Sequence, residues 1–63
     1  MFLSADTFYR IVIDYGFTIM PRVIRYNWKT HVDVVLYQHR PVGLIIAKRE
    51  GKKLHRDYYL FDL

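Results

Sequence analysis

Gly16-Phe17-Thr18-Ile19-Met20-Pro21-Arg22-Val23-Ile24-Arg25-Tyr26-Asn27-Trp28 is the stretch where the hydrophobic pattern changes its period. Before it, apolar residues recur at helical spacing; within it they alternate and turn aromatic or β-branched. Upstream, Ala5, Phe8, Ile11, Val12 and Tyr15 fall on one stripe, with Asp6, Arg10 and Asp14 projecting elsewhere. Ser4 stands where an N-cap belongs, and Asp6 lies in the first turn, where exposed amides favour an acid. Gly16 is placed for a left-handed C-terminal cap. The spacing predicts a helix of about three turns, too short to stand alone, so its stripe must pack on something.

Downstream, alternation from Arg22 to Trp28 puts Ile24, Tyr26 and Trp28 on one face and Val23, Arg25 and Asn27 on the other. Lys29-Thr30 makes a connection to a second strand, Val32 to Gln38, apolar enough to be covered on both faces. His39-Arg40-Pro41-Val42-Gly43 reads as a turn, and Leu44 to Ala47 as a continuous apolar strand buried on both sides. A hairpin turn at Arg49-Glu50-Gly51-Lys52, with Gly51 free to take positive φ, leads to a last strand through Tyr58, Tyr59, Leu60 and Phe61.

The expectation is an α+β fold: one N-terminal helix packed on a three- to four-stranded antiparallel meander sheet, in the order α-β-β-β-β. Residues 1–63 form a single small domain. Core positions are Phe8, Ile11, Ile24, Val34, Leu44 and Ile46, with Trp28 read first as core. A chain of this size buries only roughly 60% of its unfolded surface. With eleven aromatic residues, some apolar surface must therefore remain exposed.

Cysteine is absent, so there is no disulfide framework and no thiolate metal site, which suits a cytoplasmic protein. The longest apolar runs, Val34 to Tyr37 and Val42 to Ala47, fall far short of a bilayer span, and Met1 to Asp6 lacks the basic region of a secretory signal. No membrane role, cofactor or metal is expected.

Charge is the main functional signal. Lys48 to Arg56 holds five of the ten Lys and Arg residues and, with Glu50, the whole net charge of +4. A compact positive point attracts polyanions. Lys48, Arg49, Lys52, Lys53 and Arg56 are the expected nucleic-acid contacts, with either Lys48 and Lys52 or Arg49 and Lys53 sharing a side. Arg25 is a further contact, from a second basic group of Arg22, Arg25, Lys29 and His31. The plainer account of Arg22 and Arg25 is a polar strand face partnered by Asp33.

Three functions follow from these residues. The first is a small non-catalytic regulatory protein that binds DNA or RNA mainly through phosphates; its bare size suits a phage or mobile element. The alternative is a module that inhibits or adapts a larger enzyme with an acidic surface. Its anchors are Tyr58, Tyr59, Phe61 and Trp28, and its C-terminal strand, through Leu63, can pair within the chain or across a homo-oligomer. The third is a metal-independent ribonuclease built on His31, His39 and His55, which lack any paired ligand or dyad spacing.

Overall fold

The computed structural model describes residues 1–61. Its elements are β1 (Phe2–Leu3), α1 (Ala5–Tyr15), β2 (Thr18–Arg25), β3 (Thr30–Tyr37), β4 (Arg40–Glu50) and β5 (Lys53–Leu60). They form the expected α+β layout with an antiparallel sheet. The sheet has five strands rather than three or four, in the order β1-β5-β4-β3-β2. Four of them make the meander, and β1 adds to its outer edge.

Local chemistry sets both helix ends as the sequence suggests. The Ser4 hydroxyl accepts from the Thr7 amide, and Gly16 takes φ 71° and ψ 35° at the C-terminus. The Phe17 amide then donates to the Val12 carbonyl at 2.9 Å, turning the chain into β2. Within the stripe Phe8 and Val12 are buried and Ile11 packs against the core, whereas Ala5 and Tyr15 remain exposed.

The core lies between the helix and one face of the sheet. Phe8, Val12, Phe17, Val35, Ile45 and Leu60 form it, with Leu3, Ile19 and Tyr58 packed around them. The opposite face is uncovered, which corrects the reading of β3 and β4 as strands buried on both sides. Val34, Leu44 and Ile46, expected in the core, are half-buried there, and Ile24 is 50% exposed. Alternation says which residues share a face. It does not say which face the single helix will cover.

Three further corrections concern where the chain turns. Strand β2 begins earlier than Arg22 and ends at Arg25, because Asn27 opens a turn: its Oδ1 accepts from the Lys29 and Thr30 amides at 2.8 Å each. Tyr26 and Trp28 therefore leave the sheet, at 80% and 83% exposure, and Trp28 is not core. The turn placed at His39 to Gly43 is instead at Gln38-His39, which take φ 51° and 66° without any glycine. Pro41 and Gly43 lie inside β4, with a bulge beside them opposite Val35 and Leu36. Gly51 does take positive φ, 62°, between the paired Glu50 and Lys53.

The C-terminal strand is tied down within the chain. Phe2 pairs with Tyr59 and Leu3 with Tyr58, and the Met1 ammonium and carbonyl both bond Leu60 at 3.0 Å. That edge of β5 is thus occupied from Tyr58 to Leu60. Asp62 and Leu63, counted in the expected final strand, lie outside the described residues.

Gly43 is present because two strands approach closely: a Cβ there would stand 2.6 Å from the Tyr59 carbonyl oxygen and 2.7 Å from Leu60 Cδ2. Backbone cannot yield as a flexible side chain can, so Gly43→Ala is expected to destabilise the fold by about 1–3 kcal/mol. Urea denaturation reads this directly. An unshifted midpoint would mean the β4–β5 approach is looser than described.

Candidate nucleic-acid interface

Beyond the end of the helix, the core-side face of the sheet continues uncovered and becomes cationic. Registers across β2, β3, β4 and β5 align Arg25 with His31, His31 with Ala47, and Ala47 with Arg56, while Arg49 pairs with Leu54 two residues on. Ala47 contributes almost no bulk, so long side chains on either side border a concave surface. The cleft measures about 410 Å³ and is lined by Arg22, Arg25, Lys29, Arg49, Arg56 and His31, with Asn27, Trp28 and Leu54.

Two backbone devices aim these groups. Pro21, Arg22 and Val23 stand opposite the single residue Asp33, a bulge that lifts Arg22 out of the ladder at φ 53°. The Arg22 amide, freed from the ladder, donates to Asp33 Oδ1 at 2.8 Å. Asp33 thus serves the backbone of Arg22 and approaches His31 Nε2 at 4.0 Å. It is not the guanidinium partner that a polar strand face would need. The second device fixes the β2–β3 loop, where the Asn27 turn holds Trp28 outward and the Arg49 amide donates to the Lys29 carbonyl at 2.8 Å. Lys29 Nζ lies 4.9 Å from the centre of the Trp28 ring, within cation–π range.

Among the described residues, both carboxylate pairs within 4.0 Å involve histidine, His31 with Asp33 and His55 with Glu50. None of the cleft's Arg or Lys groups has such a partner among these residues. Like charges held together without counter-charge oppose folding and favour an anion.

The basic hairpin is divided by its own pleat. Arg49 and Arg56 point to the cleft side, whereas Lys48 and Lys53 share the other face with Glu50 and His55. Neither expected sharing, Lys48 with Lys52 or Arg49 with Lys53, is the one found across this register; Lys52 sits in the turn itself. The structure therefore joins Arg25 to Arg49 and Arg56, adds Arg22, Lys29 and an exposed Trp28, and leaves Lys48, Lys52 and Lys53 as a separate tip. Arg22 and Lys29 were visible in the sequence as part of a second basic group able to extend the hairpin's surface, and the strand registers join that group to Arg49 and Arg56 but not to the tip.

The remaining anchors also separate. Tyr58 packs beneath the helix against Phe8 and Tyr9, with ring centres 5.1 and 5.4 Å away. Burial first, then the adjacent Tyr9 hydroxyl, raises its pKa above the ordinary 10.0. Tyr59 lies on the uncovered face with its ring 4.9 Å from Phe2 and 5.8 Å from Phe61. The histidines are dispersed: His31 borders the cleft, His55 is on the far face, and His39 is in the β3–β4 turn. No group of three His, Asp or Glu residues suited to a metal occurs among the described residues. No helix among them is long and apolar enough to cross a membrane.

Compared with family models, curated proteins and solved structures, the chain matches none.

Trp28 is the only tryptophan, which makes the loop's placement measurable. In the folded protein acrylamide should quench its fluorescence nearly as fast as in the urea-unfolded chain. Strong protection would return Trp28 to the core.

Proposed function

We propose that this protein is a small non-catalytic binder of single-stranded nucleic acid, held mainly through its phosphates in the Arg22–Arg25–Arg49–Arg56 cleft. One observation carries the reading: five Lys and Arg groups from three strands and a loop converge on one concavity without a carboxylate partner among the described residues. Each phosphate they neutralise releases counterions, a sequence-independent gain that falls steeply with salt. Guanidinium forks also take phosphate oxygens in pairs, which fixes the strand's path.

Single strands fit better than duplexes for two reasons. The cleft is too small to receive a duplex, and Trp28 presents an aromatic face at its rim. An unpaired base stacked on such a ring contributes about 1–3 kcal/mol and does so for any base. Sequence selectivity should be weak, and regulation would come from occupying a strand rather than cutting it. The hairpin tip, Lys48, Lys52 and Lys53, adds attraction at longer range.

A second reading, a protein-binding module that inhibits or adapts an enzyme, is favoured by the uncovered apolar face of the sheet. The two readings use opposite faces and are separable.

Fluorescence anisotropy with a labelled oligonucleotide across a salt series tests the first. Five phosphate contacts give a log–log slope of about −3.5 on a single strand. Arg25→Glu with Arg49→Glu should weaken binding at least tenfold, an effect of about 1.4 kcal/mol or more. Lys52→Glu with Lys53→Glu, at the tip, should cost clearly less. Loss confined to the tip variant, or no binding near physiological salt, contradicts the cleft as the site.

A further inference from the structure

We propose that the uncovered face of the sheet is the interface of a two-fold homodimer, formed by stacking this face on the same face of a second copy. Pairing registers carry one apolar row across all five strands: Phe2, Tyr59, Leu44, Val34 and Met20 stand side by side. Ile46, Val32 and Ile24 make a second, shorter apolar row beside it, which ends at Asp57 on β5. Every described element either belongs to the sheet or packs on its other face, so nothing within residues 1–61 covers these rows. Phe2 is 68% exposed and Met20 48%.

Area identifies the size of what is missing. The chain exposes 5141 Å² at a mass of 7.7 kDa. A compact monomer of that mass exposes about 4,300 Å². The excess, about 800 Å², equals what one partner buries in a standard protein–protein interface. The radius of gyration, 11.7 Å, exceeds the ~10.6 Å of a compact chain of this length in the same sense.

Chemistry favours a second copy as the occupant. The first row carries no charge, so a two-fold axis through it sets no like charges against each other, and two such surfaces are complementary by construction. Strand-to-strand pairing at the edges is discouraged. The β2 edge is broken by Pro21 and the Arg22 bulge, and the open stretch of β5, Lys53 to Asp57, is mostly charged or polar. Face-to-face packing of two sheets, about 10 Å apart, remains. The basic clefts lie on the opposite faces, so the dimer would present two of them outward. The proposal does not depend on what those clefts bind.

Sedimentation equilibrium from micromolar to millimolar protein provides the test. Wild type should reach twice the 7.7 kDa chain mass. Val34→Thr with Ile46→Thr keeps the β-branched shape but makes the face polar; it should raise the dissociation constant at least tenfold with an unchanged far-UV circular dichroism spectrum. Should that variant fail to fold, Met20→Thr with Ile24→Thr, half-exposed and on an edge strand, gives the same reading. A wild type that stays monomeric, leaving the face to a different partner, overturns the proposal. So does open-ended aggregation, or a dimer that survives substitution in a folded variant.

Discussion

One eleven-residue helix must cover a five-stranded sheet, and it cannot. At 1.5 Å per residue α1 is about 16 Å long, whereas β4, at about 3.3 Å for each of its eleven residues, runs to about 36 Å. The helix therefore shields one part of one face, where Phe8 and Val12 meet Val35, Ile45 and Leu60. Everything else on the sheet faces solvent or a partner. The remainder of the core-side face is cationic and concave; the other face carries the apolar rows, with Asp57 beside them and Lys48, Glu50, Lys53 and His55 toward the hairpin end. That division underlies both the proposed nucleic-acid site and the proposed dimer.

The irregular positions serve the same division. The bulge at Pro21 to Val23 costs ladder hydrogen bonds, yet it turns Arg22 toward the cleft and breaks the edge of β2. Asp33 offsets part of that cost by taking the freed amide, and so is occupied by backbone rather than by a guanidinium. Asn27 stops β2 before Trp28, so the largest side chain of the chain ends at the cleft's rim instead of in the core. Gly43 lets β5 approach β4 beneath the helix, where Leu60 fills the space a Cβ would take.

Much of this was legible in the sequence because it rests on neighbours along the chain. The Ser4 and Gly16 caps, the Gly51 turn and the order of the meander need only a few consecutive residues each. What was not legible depends on residues far apart. Two residues, Phe2 and Leu3, carry no periodicity, and β1 exists only because β5 offers its edge. Gln38 and His39 turn the chain without glycine, so Pro41 and Gly43 drew the expected turn into what is strand. Ile24, Val34, Leu44 and Ile46 alternate as core residues do, but alternation is indifferent to which face receives the helix. The cleft was half visible: Arg22 with Arg25, and Arg49 with Arg56, are basic pairs in sequence, and only the register through His31 and Ala47 brings them together.

The charge proposed to hold nucleic acid sits in the cleft and not at the hairpin tip. Two-dimensional NMR of the labelled protein, titrated with a short single-stranded oligonucleotide, locates it residue by residue. The largest shifts are expected at the Trp28 indole and at Arg22, Arg25, Arg49 and Arg56, with Phe2, Leu44 and Ile46 on the opposite face unmoved. Shifts centred on Gly51 to Lys53, or on the apolar rows, would contradict it.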